Sequence, residues 1–399
     1  MKGLAASGFL LSLMACTPAA APASAPEATW SMSDRMQDNR RFWIGHIESF
    51  IETPDDPMAS GYWNQAVALA GREDLIFQGT EDGNQRIKPQ CADARPDPLP
   101  ELVRQAGKTS IVIINEAHSH PSDRLFILEL AKALHGIGYE TYAAETFNEG
   151  IVDGPDAPVR VEDGFYTQEA VYARLLESVR SMGFHLVAYE QREDQAAPSD
   201  AGSGARIDAR EAAQTENLMN AIFNTDPDAK VFIHVGHSHV AERPVGGEGG
   251  KAWMAARLKA ATGIDPLTIS LTECVADGDA PVLASGGLPS CGGWPRPVYT
   301  DYVVGLPRVT ITDGRPDYRR RMGDIDTPVP EALLPSDHSV LIEARRAGDG
   351  DDVAPMDRLY LQPGEALPLL LPEGTYEVRS FDKNGFVAGP ANVEVRSPV

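Results

Sequence analysis

The chain has 399 residues, of which 42% are hydrophobic, and its formal net charge is −23. This length exceeds the roughly 100 to 200 residues of a typical domain, so we expect two domains or one large domain with an appendage. Because 35 basic residues stand against 58 acidic ones, no basic surface is evident that could displace counterions from a phosphate backbone. The composition therefore excludes nucleic acid as an expected partner.

The N-terminal segment MKGLAASGFLLSLMAC is typical of an export signal, because one lysine precedes an apolar stretch too short to span a bilayer. Its last four residues resemble a bacterial lipobox, in which Cys16 is lipidated and becomes the mature N-terminus. The alternative is ordinary cleavage in the Ala/Pro-rich segment that follows. We expect a signal peptide over residues 1–16, an Ala/Pro tether over residues 17–29, and an anchored protein on the periplasmic side of the outer membrane.

Three further cysteines follow Cys16, namely Cys91, Cys274 and Cys291. An oxidising compartment favours disulfide formation. Cys274 and Cys291 flank a short Gly/Pro-rich loop, and closing such a loop could add about 3 kcal/mol of stability. The sequence therefore predicts a Cys274–Cys291 disulfide and leaves Cys91 without a partner. No CxxC pair occurs, so a cysteine-rich metal site is not expected.

The chain divides into three predicted structural regions after the tether. Residues 30–106 predict a helical lead-in packed on the main domain. Over residues 107–334, β-rich runs alternate with amphipathic helical runs, which indicates an α/β domain with a mostly parallel sheet and helices on both faces. The predicted strands are SIVIINE, ETYAAET, HLVAYEQ, KVFIHVG and PLTISLT, with VYTDYVVG as a last edge strand.

The last region, residues 335–399, has no helical period. Short alternating or apolar runs such as SVLIEARR and GTYEVRSFD are separated by turn sequences such as PEG and KNG. They predict a small antiparallel, β-sandwich-like domain. Because a domain of about sixty residues is near the lower limit for independent folding, we expect it to pack against the larger domain.

Ionisable residues follow each of the five predicted parallel strands. Parallel strands bring their C-terminal ends to one edge of a sheet, where ligands bind. A single glutamate there could merely cap a helix, and a single histidine could be an exposed loop residue, but the whole set indicates a pocket. Its members are Glu116, His118 and His120 after the first strand, Glu145 and Glu190 after the second and third, His237 and His239 after the fourth, and Glu273 after the fifth.

The other five histidines receive a structural interpretation. His234 lies inside the fourth strand, where alternation places it on the face opposite to His237, so we expect it to point into the core against a helix. We interpret the remaining four as surface or packing residues: His46, His135, His185 and His338.

Several of these segments resemble a known superfamily. NEAHSHP, followed by a helix and YAAETF, resembles the GExHxxP and E-M-F segments of ChaN-like haem-uptake lipoproteins. The run from RIDAREAAQ to GHSH is similar to a segment shared by those proteins, the erythromycin esterases and Tiki-type proteases. The resemblance covers roughly residues 105–305. Asn115 replaces the usual glycine and Gln214 the usual methionine, while the single residue between Glu116 and His118 matches the ChaN-like spacing.

The esterase-like branch of the resemblance implies a hydrolase. There an imidazole takes a proton from water, which attacks an ester carbonyl. His118 or His237 would be the base, with His239 beside them and Glu116, Glu145 and Glu190 as orienting groups or ligands. Arg210 matches the family arginine and could hold an oxyanion or a substrate carboxylate, the alternative being a surface salt bridge. His120 and Glu273 would contact the substrate.

The other branches imply ligand binding. The Tiki-like branch implies a divalent metal, here held by Glu116, His118 and His237, and the ChaN-like branch implies haem bound through a tyrosine, with Tyr166 and Tyr172 as candidates by proximity. We expect a lipid-anchored periplasmic hydrolase of ester or amide bonds that acts on a small-molecule or peptide substrate. The alternative is a haem- or metal-binding uptake lipoprotein without catalysis. The sequence indicates no oligomeric state.

Overall fold

The computed structural model describes residues 35–52, 62–77, 90–91, 93–245, 250–284, 289–290, 294–295 and 299–397. The predicted signal peptide, Cys16, the tether and Cys291 lie outside the described residues. Within the described part of the chain, no helix combines the length and the apolar character needed to cross a bilayer.

The α-helices of the described residues fall into the lead-in, the α/β region and the segment that joins the α/β region to the C-terminal strands. Helix α7 continues into a π-helical turn over Met219–Phe223. The bounds are α1 (Arg35–Glu52), α2 (Tyr62–Leu69), α3 (Glu73–Phe77), α4 (Pro98–Ala106), α5 (Asp123–His135), α6 (Ala170–Ser181), α7 (Ser203–Leu218), α8 (Met254–Thr262) and α9 (Asp317–Arg321).

The strands form one large sheet and several smaller antiparallel ones. Their bounds are β1 (Arg95–Pro96), β2 (Ile111–Glu116), β3 (Thr141–Ala144), β4 (His185–Ala188), β5 (Val231–Gly236), β6 (Leu267–Ser270), β7 (Val282–Ala284), β8 (Pro289–Ser290), β9 (Trp294–Pro295), β10 (Tyr302–Gly305), β11 (Ile311–Thr312), β12 (Arg315–Pro316), β13 (Ile325–Thr327), β14 (Val340–Arg346), β15 (Asp357–Leu361), β16 (Leu369–Leu371), β17 (Gly374–Asp382) and β18 (Gly385–Val395).

The large sheet confirms the predicted α/β class. Its strand order is β1-β7-β10-β6-β2-β5-β3-β4, and the six strands from β10 to β4 run parallel. All five predicted parallel strands are present. The predicted edge strand, β10, is instead internal, because β7 pairs with it in antiparallel orientation and β1 pairs with β7. Both outer strands are only two or three residues long, which is why no sequence pattern marked them.

The two central strands, β2 and β5, are buried along their whole length. Their near-continuous apolar sequence is typical of strands covered on both faces. One face packs against α4, α5 and α6 through side chains such as Leu130 and Leu176. The other face packs against α7 and α8 through side chains such as Leu218 and Leu258. Helices on both faces leave the C-terminal edge of the sheet as the open side.

The C-terminal region forms a four-stranded antiparallel sheet in the order β15-β14-β17-β18. The two-stranded pair of β13 and β16 shares a hydrophobic core with one face of this sheet, and that core contains Ile342, Leu359, Leu371 and Val378. The antiparallel sheets at the C-terminus agree with the predicted antiparallel β region. The opposite face is covered by helices, as Leu341 and Tyr360 show by packing with the lead-in.

The lead-in packs mainly on the C-terminal sheet, whereas the sequence indicated packing on the α/β domain. Trp43 and Ile47 of α1 share a core with Leu341 and Tyr360. The lead-in touches the α/β domain through polar contacts, including the hydrogen bond that the Tyr166 hydroxyl donates to Gln65 Oε1 at 2.8 Å. The C-terminal sheet offers the apolar face that the amphipathic helix α1 needs to bury.

The predicted Cys274–Cys291 disulfide is wrong, because Cys274 is bonded to Cys91, with a Cα–Cα distance of 5.1 Å and a sequence separation of 183. A parallel bridge between Gln90 and Val275 lays the two segments side by side, and the Cys91 N–H donates to the Val275 carbonyl at 2.9 Å. The sequence prediction rested on the short length of the loop. Whether two cysteines can form a disulfide depends instead on the distance between their Cα atoms and on the orientation of their side chains.

Candidate functional site

The candidate site begins with Glu116 and His118, which lie at the C-terminal end of β2. The His118 Nδ1 atom is 3.1 Å from Glu116 Oε1. Only 11% of the His118 side chain is exposed, and the Tyr166 ring stacks on it with a centroid separation of 4.0 Å. A carboxylate at this distance fixes the tautomer that carries the proton on Nδ1, so the lone pair of Nε2 is directed away from Glu116.

Glu116 is almost fully buried, and donors surround both of its oxygens. Arg124 donates from Nη2 to Oε1 at 2.8 Å and from Nε to Oε2 at 2.9 Å, and His234 Nε2 is 3.0 Å from Oε2. Burial alone would raise the pKa of Glu116, but Arg124 and His234 outweigh it and hold that pKa well below its usual value. Glu116 is therefore a permanent carboxylate.

His234 is buried, as its position in the strand predicted. Its ring stacks on that of Tyr172 from α6 at 5.3 Å, which confirms the expected contact with a helix. Its Nδ1 atom is 2.8 Å from the Tyr142 hydroxyl and 3.2 Å from the Tyr172 hydroxyl. The His234 ring thus bridges the Glu116 carboxylate at Nε2 and the two phenols at Nδ1. Sequence reasoning placed His234 correctly and missed this contact.

Glu145 directly follows β3, which pairs with β5 on the side opposite to β2. The Gly236 N–H donates to Glu145 Oε2 at 2.6 Å. A Cβ atom on Gly236 would lie 2.3 Å from His118 Nε2 and 3.2 Å from Glu145 Oε2, so only glycine fits between the two side chains. Burial raises the pKa of Glu145, but His239, Arg210 and His118 lower it to about 2. A second fixed negative charge thus faces the Nε2 side of His118.

Arg210, on α7, joins the carboxylates of two strands. It donates to Glu145 Oε1 at 2.5 Å and makes two hydrogen bonds to Glu190, at 2.5 and 2.9 Å. Gln214, one turn later, donates to Glu190 Oε2 at 3.0 Å. The Arg210 side chain is 37% exposed, so it reaches solvent while its charge is balanced by the two carboxylates.

His239 is held between carboxylates and an arginine. Its Nδ1 atom is 3.0 Å from Glu211 Oε2, and its Nε2 atom is 3.1 Å from Arg210 Nη1. Burial lowers the pKa of His239, but the Glu145 charge and the Glu211 hydrogen bond raise it overall. A protonated His239 has no lone pair, and in a neutral one the Nε2 lone pair accepts from Arg210. Neither form is a base for water.

His237 is exposed and adopts a left-handed backbone conformation, with φ at 39°. Such a conformation is uncommon for residues other than glycine and occurs often at functional sites. The Asn115 side chain donates to the His237 carbonyl at 2.7 Å and accepts from the Leu271 N–H at 2.8 Å. The His237 ring meets the His118 ring edge-on, with centroids 5.5 Å apart.

The structure therefore brings most of the predicted site residues into one connected group. His120 and Glu273 lie in the loops after β2 and β6, where His120 Nδ1 is 3.2 Å from Ser119 Oγ. The predicted residues joined by the contacts above are Glu116, His118, Glu145, Glu190, Arg210, His237 and His239.

The sequence analysis missed Arg124 and Glu169. Arg124 has no exposed side-chain surface, and it donates to Glu169 Oε2 at 2.7 Å. Glu169 also accepts the backbone N–H groups of Val171 and Tyr172 and so caps α6. A sequence signal for Arg124 existed, because an arginine in the first turn of the helix after a strand-end carboxylate is well placed to pair with it.

The donor set does not fit the metal that the Tiki-like resemblance implies. In the described ranges, no group of three or more His, Cys, Asp and Glu side chains is arranged to hold a metal ion. Both oxygens of Glu116 already accept hydrogen bonds from Arg124. Neither tyrosine fits a haem ligand well: Tyr172 is 2% exposed, and the Tyr166 hydroxyl donates to Gln65.

Comparisons with known proteins give low similarity. No protein-family model and no curated protein matches the chain. Among solved structures, the type III effector HopBA1 is 17% identical over 54% of this chain and 97% of that chain, with a TM-score of 0.31. RRSP, a MARTX toxin effector domain from Vibrio vulnificus CMCP6, is 15% identical over 70% of this chain and 49% of that chain, with a TM-score of 0.32. The chain thus spans about half of RRSP, and no conclusion about activity follows at these TM-scores.

Proposed function

We propose that the protein is a hydrolase of ester or amide bonds in which His118 activates water. The observation that carries this proposal is the pairing of His118 with a buried, permanently ionised carboxylate: His118 Nδ1 is 3.1 Å from Glu116 Oε1, and the Nε2 edge lies above Gly236, facing Glu145. A base needs an available lone pair and an orienting partner. His118 has both.

The reaction would proceed by proton transfer from water to His118 Nε2 as the water oxygen attacks the substrate carbonyl. Glu116 stays ionised and stabilises the imidazolium that forms. When the tetrahedral intermediate collapses, the C–O or C–N bond breaks and the leaving group takes a proton from His118 or from the adjacent His237. Arg210 holds Glu145 and Glu190 in place beside the base through its hydrogen bonds to both carboxylates.

We further propose that the protein belongs with the erythromycin esterase, ChaN-like and Tiki group and that Cys16 anchors it on the periplasmic side of a membrane. The support is the strand-end pattern of Glu116, His118, Glu145 and His237 and the lipobox-like segment before Cys16. The uptake alternative, haem or metal binding without catalysis, receives less support because the donor set described above is already engaged internally.

Replacing Glu116 and His118 singly by alanine tests the catalytic proposal. Against a panel of esters and amides, we expect each variant to lose at least 100-fold in kcat/KM. His185→Ala is the matched control, because His185 is an exposed histidine whose side chain is 63% accessible and whose partner is Asp153. Wild-type turnover in His118→Ala, with its fold verified by circular dichroism, would refute the proposal.

The anchor is tested separately by Cys16→Ser. We expect the wild-type protein expressed in a Gram-negative host to incorporate labelled palmitate and to fractionate with membranes, and Cys16→Ser to do neither, because the thiol carries the diacylglycerol. Mass spectrometry of the mature N-terminus gives a second measurement. An unmodified N-terminus downstream of residue 16 in the wild type would contradict lipidation.

A further inference from the structure

Beside His118, a short loop presents two adjacent aromatic rings. This aromatic loop, residues 164–168, is pinned to the end of β3: the Tyr166 N–H donates to Thr146 Oγ1 at 2.8 Å. Gly164 approaches so closely that a Cβ atom there would lie 2.2 Å from the Thr146 carbonyl oxygen. The loop is therefore fixed next to Glu145, at the same edge of the sheet as the proposed base.

The aromatic loop is also held from outside the α/β domain. The Tyr166 hydroxyl donates to Gln65 of α2 at 2.8 Å, and Asn39 of α1 donates to Gln168 Oε1 at 3.3 Å. Arg358 of β15 donates to the Gln168 carbonyl at 3.1 Å. Anchors on three sides make the loop a preorganised surface, which costs little conformational entropy when a ligand binds to it.

The rings of the aromatic loop lead from solvent to the proposed base. Phe165, which is 37% exposed, meets the Tyr166 ring edge-on at 5.0 Å, and Tyr166 stacks on His118 at 4.0 Å. On α7, Ile207 is 36% exposed and lies three residues before Arg210, so both occupy one helix face. Exposed apolar side chains thus occur both on the aromatic loop and on the helix that carries Arg210.

We propose that Phe165 and Tyr166 form the substrate-binding wall of this site and that the preferred substrate carries a flat apolar group, such as an aromatic ring, next to the scissile bond. This inference rests on the proposed hydrolase function and specifies its substrate class. Aromatic rings prefer edge-on or offset contacts with other rings, and the exposed surface of Phe165 offers such a contact one ring away from His118.

The test compares two esters of similar chemical reactivity, benzyl acetate and ethyl acetate, with the wild-type protein and with Phe165→Ala. We expect the wild type to prefer benzyl acetate, and Phe165→Ala to reduce the ratio of the two kcat/KM values about tenfold, mainly through KM, because one ring contact is lost. An unchanged ratio would overturn the proposal.

Two control variants test whether the change in the ratio of the kcat/KM values is specific to Phe165. Phe386→Ala removes an exposed phenylalanine, 59% accessible, from the C-terminal sheet. Leu125→Ala alters an apolar groove of about 590 Å³ that lies elsewhere and is also lined by Leu99, Phe126 and Val309. We expect both variants to keep the wild-type ratio. A fall in the ratio with Leu125→Ala and not with Phe165→Ala would assign the apolar group to that groove and would also overturn the proposal.

A binding measurement separates this inference from the hydrolase proposal. Titration with benzyl alcohol, observed by NMR of the protein with ring-labelled histidine, should shift the His118 resonances of the wild type. In Phe165→Ala, the same shift should need at least a tenfold higher concentration of benzyl alcohol. If neither ester is hydrolysed but this shift occurs, the hydrolase proposal fails and the binding wall stands. If acetate esters are hydrolysed and no shift occurs, the wall fails and the hydrolase proposal stands.

Discussion

At the scale of single residues, two buried carboxylates show opposite charge states. Glu116 lies among Arg124, His118 and His234, and its pKa is held well below the usual value despite burial. Glu73 has one hydrogen-bond partner among the described residues, the Tyr318 hydroxyl at 2.7 Å, and burial raises its pKa to about 8. The number of hydrogen-bond donors around a buried carboxylate decides whether it stays ionised.

The raised pKa of Glu73 therefore predicts that the free energy of unfolding depends on pH. Its pKa is about 8 in the folded state and near 4.5 when unfolded, so between these values the folded protein binds a proton that the unfolded chain releases. Stability from this group is present below pH 4.5 and is lost as pH rises towards 8. Between pH 5 and 7.5, deprotonation of Glu73 should lower the free energy of unfolding of the wild type by about 3 kcal/mol. Urea unfolding of Glu73→Gln should not show this decrease.

The control for this measurement is Glu129→Gln, which changes an exposed carboxylate of α5 whose partner is Lys132. Its pH dependence should match the wild type, because an exposed pair contributes little. Parallel stability curves for Glu73→Gln and the wild type over the same pH range would contradict a neutral Glu73.

At the scale of helices and strands, the positions of the strand ends account for the part of the candidate site that could be predicted from the sequence. The carboxyl ends of parallel strands meet at one edge, so the positions of Glu116, Glu145 and Glu190 at that edge followed from the β/α alternation. The contact between His234 and Glu116 did not, since alternation predicts a face and says nothing of which neighbouring side chain reaches it. The pairing of β1 with β7 depends on strands too short to carry a pattern.

The disulfide between Cys91 and Cys274 gives a prediction at this scale, because it ties the segment before α4 to the loop after β6. Replacing both cysteines by serine should lower the free energy of unfolding by about 2–4 kcal/mol, the usual range for a disulfide that closes a long loop. Non-reducing peptide mapping of the wild type should recover the Cys91–Cys274 peptide. Cys291→Ser is the control and should leave that peptide and the stability unchanged. Recovery of a Cys274–Cys291 peptide would contradict the assignment.

At the scale of the whole molecule, one buried carboxylate connects the lead-in to the C-terminal sheet. Glu343 of β14 is 1% exposed and lies within 2.9 Å of three arginines, namely Arg40 of α1, Arg345 and Arg358. These charges hold the Glu343 pKa well below its usual value, although burial acts in the opposite direction. The apolar core that contains Trp43 and Leu341 joins the same two regions, the lead-in and the C-terminal sheet.

Glu343→Ala should therefore destabilise two regions together. The substitution leaves Arg40, Arg345 and Arg358 buried without their carboxylate, which costs about 3–5 kcal/mol. Hydrogen exchange should show lost protection in residues 35–52, 62–77 and 340–361 at once. The control Glu394→Ala breaks an exposed pair with Arg396 and should change stability by less than about 1 kcal/mol. Exchange that rises in only one of the two regions would contradict a shared junction.

The bond between Arg40 and Glu343 spans 303 positions of the chain, and this distance has a consequence for biosynthesis. The helices made first cannot bury their apolar side until the ribosome has finished the strands near the C-terminus. Contacts of such long range slow the search for the native state. A nascent chain would therefore keep Trp43 and its neighbours uncovered throughout synthesis, until the last strands pack against α1.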